Sequence, residues 1–237
     1  MTRSHFFLLL IVVSVCVLAA RGLWYGIAVE NVTALVDGEF EDEIRAFEEA
    51  DRTHPIRENV VLFIGSSSIR FWASLERDMA PLTVLNRGFG GAHISHLIKN
   101  APRLVWPYSP QAIVVYGGDN DLAGPSRKTP ETVLADYKRF VSTVRQALPQ
   151  VQVYFLSIKP SPSRWKTWPH MKKANMLIKT WSGRYPYLHF IDVASVLLNE
   201  GGQPNIHFFE QDGLHLNNEG YRAWTAIVRD SLTTNLR

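Results

Sequence analysis

Five short apolar runs, with helical patterns filling the intervals, constrain this chain more than any other feature. They are VVLFIG (60–65), LTVLNRG (82–88), AIVVYGG (112–118), VQVYFLSI (151–158) and YLHFIDV (187–193). They are continuous rather than alternating, as expected of strands covered on both faces of a parallel sheet. The clearest interval is TPETVLADYKRFVSTVRQAL, where Thr129 is placed to cap, Pro130 takes the first helical position, and Val133, Tyr137, Phe140, Val144 and Leu148 form one stripe. The last helix is NNEGYRAWTAIVRDSL, capped by Asn217 or Asn218, with Tyr221, Trp224 and Val228 inward. Before the first strand, Phe40, Ile44 and Phe47 mark an amphipathic helix with an acidic outer face. Strand alternating with helix predicts a three-layer α/β domain, an αβα sandwich around a parallel sheet. With 237 residues, 46% of them hydrophobic, the chain is sized for one such core.

The N-terminal residues differ from the rest. Arg3 precedes an apolar run from Phe6 to Ala20, about the length of a signal-peptide core. Val17 and Ala19 fit cleavage after Ala19, but apolar character resumes after Arg21, so an uncleaved span from Phe6 to Val29 is the competing reading. Residues 1–29 are thus expected to be a signal peptide or membrane anchor, 30–39 a linker, and 40–237 the folded domain. Either way the domain is expected outside the cytoplasm, periplasmic, secreted or anchored there. The single cysteine, Cys16, falls inside this run, and Val15 before it argues against lipid attachment. The remainder has no cysteine, which excludes disulfides, thiolate metal sites and a cysteine nucleophile. A formal charge of +3 with interleaved signs gives no case for a nucleic-acid partner.

Ligands of open parallel sheets bind outside the carboxyl ends of the strands. Small and polar residues collect there. Strand one ends in Gly65-Ser66-Ser67-Ser68, strand two in Asn86-Arg87-Gly88-Phe89-Gly90-Gly91, and strand three in Gly118-Asp119-Asn120-Asp121. Asp212-Gly213-Leu214-His215 stands before the last helix. From about Phe40 onward, these four segments in this order resemble the motif blocks of the SGNH hydrolases, the GDSL-type esterases and lipases. The resemblance implies a flavodoxin-like sheet of five parallel strands. It also implies an esterase, lysophospholipase, thioesterase or carbohydrate deacetylase activity.

Carried onto this sequence, the resemblance makes Ser67 the nucleophile and gives Gly91 and Asn120 oxyanion positions. A serine opening a helix is also favoured by the positive end of the dipole. The plain alternative is that the three serines only cap a helix beginning near Ile69. Ser66 stands where the family usually has aspartate, which bears on the loop rather than the chemistry. Gly91 is otherwise a turn glycine, and Asn120 otherwise forms an Asx turn helped by Asp119 and Asp121. Asp212 and His215 are three apart, a spacing that lets a carboxylate hold Nδ1–H of the imidazole and leave Nε2 for the serine proton. The alternative is a turn cap beside an ordinary buried histidine.

Other features carry weaker readings. His93 and His96 lie three apart, but with no third ligand in view they read as helix-face residues rather than a metal pair. The segment KPSPSRWKTWPHMKKAN (159–175) reads as a wall of the substrate pocket, with a nucleic-acid stripe as its alternative. Asn31-Val32-Thr33 matches a glycosylation acceptor. The reading is a hydrolase needing no cofactor or metal, acting on a small-molecule, lipid or glycan ester through an acyl-serine intermediate. An acyltransferase with the same residues and a non-catalytic envelope or binding protein on the same fold are the alternatives.

Overall fold

The computed structural model describes residues 38, 40–54, 59–125 and 127–236. The expected leader, most of the linker and the glycosylation acceptor lie outside them. The chain divides into two compact units, and the second, Glu43–Arg237, carries the sheet and the site.

Five parallel strands form one sheet in the order β2-β1-β3-β4-β5. They are β1 (Val61–Gly65), β2 (Val84–Gly88), β3 (Ala112–Tyr116), β4 (Gln152–Leu156) and β5 (Leu188–Ile191). This is the expected flavodoxin-like α/β arrangement. Its strand order reverses direction between β1 and β3, the switch point where a crevice opens. Every residue of β1 and β3 is buried, whereas β2 and β5 each carry two half-buried positions. The apolar runs are therefore purest where both neighbours and both faces are covered.

The longer helices are α1 (Glu41–Thr53), α4 (Ile94–Leu104), α6 (Pro130–Ala147), α7 (Trp168–Ser182) and α8 (Asn218–Asn235). Between them lie three of a turn or little more, α2 (Ser67–Arg70), α3 (Leu75–Asp78) and α5 (Asp119–Ala123). Two expected caps are in place. The Thr129 hydroxyl accepts from the Thr132 N–H at 3.2 Å, and the Asn217 carboxamide accepts from Glu219 and Gly220 N–H at 2.9 and 3.1 Å. The acidic face of α1 is not wholly outward. Glu48 grips Arg103 at 2.7 and 2.9 Å, and Asp51 bonds Arg87, a nearly buried side chain on edge strand β2. Arg87 lies over the Phe47 ring at 5.0 Å and donates to the Tyr108 hydroxyl at 2.7 Å, so charge as well as apolar contact docks this helix.

Beneath the C-terminal rim, Trp72, Tyr116, Tyr221 and Trp224 pack as an aromatic cluster, with Trp72 stacked on Tyr221 at 5.3 Å. The Tyr221 hydroxyl donates to the Ser68 carbonyl at 3.0 Å. The Trp224 indole donates to the Val193 carbonyl at 3.0 Å. Helix α8 therefore fixes α2 from below, linking the last element of the fold to the one after β1.

Candidate active site

Strand β1 ends against β3. At Gly65 (φ +156°) a Cβ would lie 2.2 Å from the Tyr116 carbonyl oxygen, so only glycine passes there. The next residue, Ser66, donates its N–H to that same oxygen at 3.1 Å. The chain then turns at once into α2, whose first residue is Ser67. Ser66 and Ser68 are buried and Ser67 is half-exposed. Ser66 occupies the N-cap but makes no side-chain capping bond, so the capping explanation for the serines fails. The expected dipole assistance is also reduced, because α2 is a single turn.

Across the rim, His215 Nε2 lies 3.0 Å from Ser67 Oγ and Nδ1 lies 2.5 Å from Asp212 Oδ2. An ionised carboxylate only accepts, so Nδ1 carries the proton, Nε2 is the acceptor, and the serine hydroxyl donates to it. The other carboxylate oxygen of Asp212 accepts the backbone N–H groups of Leu214 and His215 at 2.8 and 3.0 Å. Burial pushes the Asp212 carboxyl up. The two backbone donors and the imidazole outweigh that and hold it down at about 2. The loop is pinned from outside its own turn as well. Ser163 N–H donates to the Gly213 carbonyl at 3.0 Å, and the buried Lys159 ammonium donates to the Leu214 carbonyl at 2.7 Å. Phe71 meets the imidazole edge-on, ring centroids 4.9 Å apart, with 48% of its own surface exposed.

The other two predicted residues lie after β2 and β3. Gly91 is exposed in a left-handed conformation (φ +75°), so the turn-glycine reading holds for its backbone. Asn120 is buried at the start of α5, and its bonds are not those of an Asx turn. Its Nδ2 donates to the Ala92 carbonyl at 3.1 Å, tying it to the residue after Gly91, and its Oδ1 accepts from Arg164 Nη2 at 2.9 Å. Asp121, fully buried, instead serves the frame, accepting from Lys128 at 2.8 Å and from the Ile94 N–H at 3.3 Å. Burial pushes its carboxyl up, but His93 and Lys128 outweigh this and leave it lowered.

Sequence reasoning missed two residues, Lys159 and Arg164. Both belong to the segment expected to wall the pocket. The segment turns these two cations inward beside Asn120 and the His215 loop, and its second half, from Trp168, is helix α7. Burial pushes the Lys159 ammonium down to about 8, with Arg164 adding to that and Asp119 and Asp212 opposing it. Two prolines and two serines (KPSPSR) were the local signal of a turn aimed at the site. Nothing local names the partners. Of the two histidines expected on a helix face, His96 lies within α4, whereas His93 stands at its N-cap in extended backbone, its N–H donating to His96 Nδ1 at 3.1 Å and its own Nδ1 3.4 Å from Asp121.

A doubly wound sheet with a serine, a histidine and an aspartate hydrogen-bonded in series at its carboxyl rim defines the class: an SGNH-type α/β protein. The comparisons agree. Residues 64–223 match the GDSL-like lipase/acylhydrolase family model, and the chain belongs to that family. No curated protein matches significantly. Among solved structures, a Streptococcus pneumonia protein assigned as a platelet activating factor aligns with TM-score 0.72 at 22% identity, covering 87% of this chain and 99% of the other. A GDSL-like lipase from Bacteroides thetaiotaomicron aligns with TM-score 0.68 at 18% identity, covering 81% and 97%. A family 3 carbohydrate esterase from Clostridium thermocellum follows with TM-score 0.61 at 14% identity, covering 76% and 98%. At such identities the likeness carries the fold.

Proposed function

We propose that this protein hydrolyses carboxylic esters through an acyl-serine intermediate, with Ser67 as nucleophile. The observation that carries the reading is the unbroken hydrogen-bond series Asp212–His215–Ser67. In the first step Ser67 Oγ bonds to the carbonyl carbon and its proton passes to His215 Nε2. The oxyanion is met by the Asn120 amide and the backbone N–H groups of Gly91 and Ser67. The tetrahedral species collapses, the ester C–O bond breaks, and the alcohol leaves with the proton from His215. Water then repeats the sequence on the acyl-serine, releasing the acid. Asp212 orients the imidazole and stabilises its charged form throughout.

The test is turnover of a short-chain chromogenic ester by the wild type beside Ser66→Ala, Ser67→Ala and Ser68→Ala. Only Ser67→Ala is expected to abolish it, by about 10⁶-fold. Full activity in Ser67→Ala with loss at a neighbour contradicts the assignment. A series of acyl lengths then narrows the substrate, and added acceptor alcohols separate hydrolysis from acyl transfer by the products formed. Export is proposed with it, on the apolar run of residues 6–20, and a C-terminal reporter active only outside the cytoplasm tests that.

A further inference from the structure

A primary amide can serve an oxyanion only if its nitrogen faces it, and its two ends differ little in size. In this chain the orientation of Asn120 is decided by two partners that cannot exchange roles. The Ala92 carbonyl only accepts, and it takes Nδ2 at 3.1 Å. The Arg164 guanidinium only donates, and its Nη2 meets Oδ1 at 2.9 Å. Turning the amide over would set donor against donor and acceptor against acceptor. Arg164 is itself held, because its Nη1 pairs with Asp119 Oδ2 at 2.9 Å. The Asp119 side chain is 5% exposed and that of Arg164 is 21% exposed, so the pair is shielded from solvent. The second N–H of Asn120 Nδ2 is left for a ligand, and the fixed cation on Oδ1 polarises the amide so that this N–H is a stronger donor.

We propose that Arg164, held by Asp119, is a positioning residue that locks Asn120 with its amide nitrogen toward the reacting carbonyl oxygen. This rests on the hydrolase reading above. Arg164 acts through Asn120 and touches no reacting atom, so its effect belongs in the transition state and not in substrate affinity.

The full chain is assayed on the short-chain ester as wild type, Arg164→Met, Arg164→Lys, Asn120→Ala and the double variant Arg164→Met/Asn120→Ala. Met keeps the apolar stem and removes every donor. Arg164→Met is expected to lower kcat by about 10- to 100-fold with KM changed by less than about twofold. Arg164→Lys should recover only part of this, since a single ammonium cannot reproduce the fork that reaches Asp119 and Asn120 together. Once Asn120 is Ala, Arg164→Met should remove no more than about twofold further. Losses that multiply in the double variant, or a rise in KM at unchanged kcat, overturn the proposal. Should Arg164→Met fail to fold, Asp119→Asn in both backgrounds replaces it, with a smaller loss expected that likewise vanishes beside Asn120→Ala. Wild-type behaviour separates the two levels. If it cleaves no ester and takes up no serine-reactive phosphonate, the hydrolase reading has failed and this proposal with it. Turnover with multiplying losses defeats the Arg164 proposal alone.

Discussion

Asn120 and His215 belong to the same rim, yet the protein holds them by opposite means. Asn120 is 9% exposed and bonded across the fold to Ala92 and Arg164, so its position is a property of the interior. His215 is set by Asp212 three residues away, whose side chain is 48% exposed and whose other carboxylate oxygen accepts the backbone N–H groups of Leu214 and His215. The Asn120 side chain is held by partners far along the chain, whereas the His215 imidazole is oriented on its Nδ1 side by a neighbour three residues away, and the backbone of its loop is tied from outside by Ser163 and Lys159. A buried donor gains strength from low dielectric and loses nothing to reorganisation.

The contrast predicts different penalties on each side. Asp212→Asn should lower kcat by about 10⁴-fold, because the imidazole loses the partner that fixes its tautomer. The melting temperature should fall only modestly: the asparagine oxygen can still accept the two backbone N–H groups, but the charge whose interactions hold the carboxyl at about 2 is lost from a largely exposed site. A large drop in stability would contradict that. Asn120→Ala should cost less activity, about 10²- to 10³-fold in kcat. It should also destabilise the fold by about 1–3 kcal/mol in urea unfolding, because the Ala92 carbonyl and the Arg164 fork lose a buried partner. Unchanged stability there would place Asn120 outside the interior network.

Much of this was legible in the sequence because it rests on local rules. Strands β1 and β3 stand out since covering both faces demands unbroken apolar residues, and α6 and α8 announce themselves by Thr129 and Asn217. The five candidate residues were read from short blocks at the strand ends and before the last helix, through their resemblance to the family's motifs. What stayed hidden depends on long-range pairing. Arg164 meets Asn120 across 44 residues, and Lys159 meets the Leu214 carbonyl across 55. In the sequence the two are basic residues of a proline-rich stretch, and no periodicity marks a cation that points inward. Likewise, Glu48 and Asp51 look like surface charges until Arg103 and Arg87 arrive from other elements.

Lys159 bears on stability through its pH dependence. Its folded value is about 8 against an ordinary 10.5, so between those limits the unfolded chain binds a proton that the folded protein does not. Stability should therefore rise with pH across this window. Relative to Lys159→Met, the wild type should gain about 1–3 kcal/mol from pH 8 to pH 10, read as the difference in urea midpoints. A difference that shrinks over that range would mean the ammonium is not desolvated.

The most direct measurement is covalent labelling of the full chain with a fluorophosphonate, followed by digestion and mass mapping. One adduct per chain is expected, on the peptide carrying Ser67, absent in Ser67→Ala and strongly slowed in His215→Ala. An adduct on Ser66 or Ser68, or labelling that proceeds undiminished without the His215 imidazole, would contradict it.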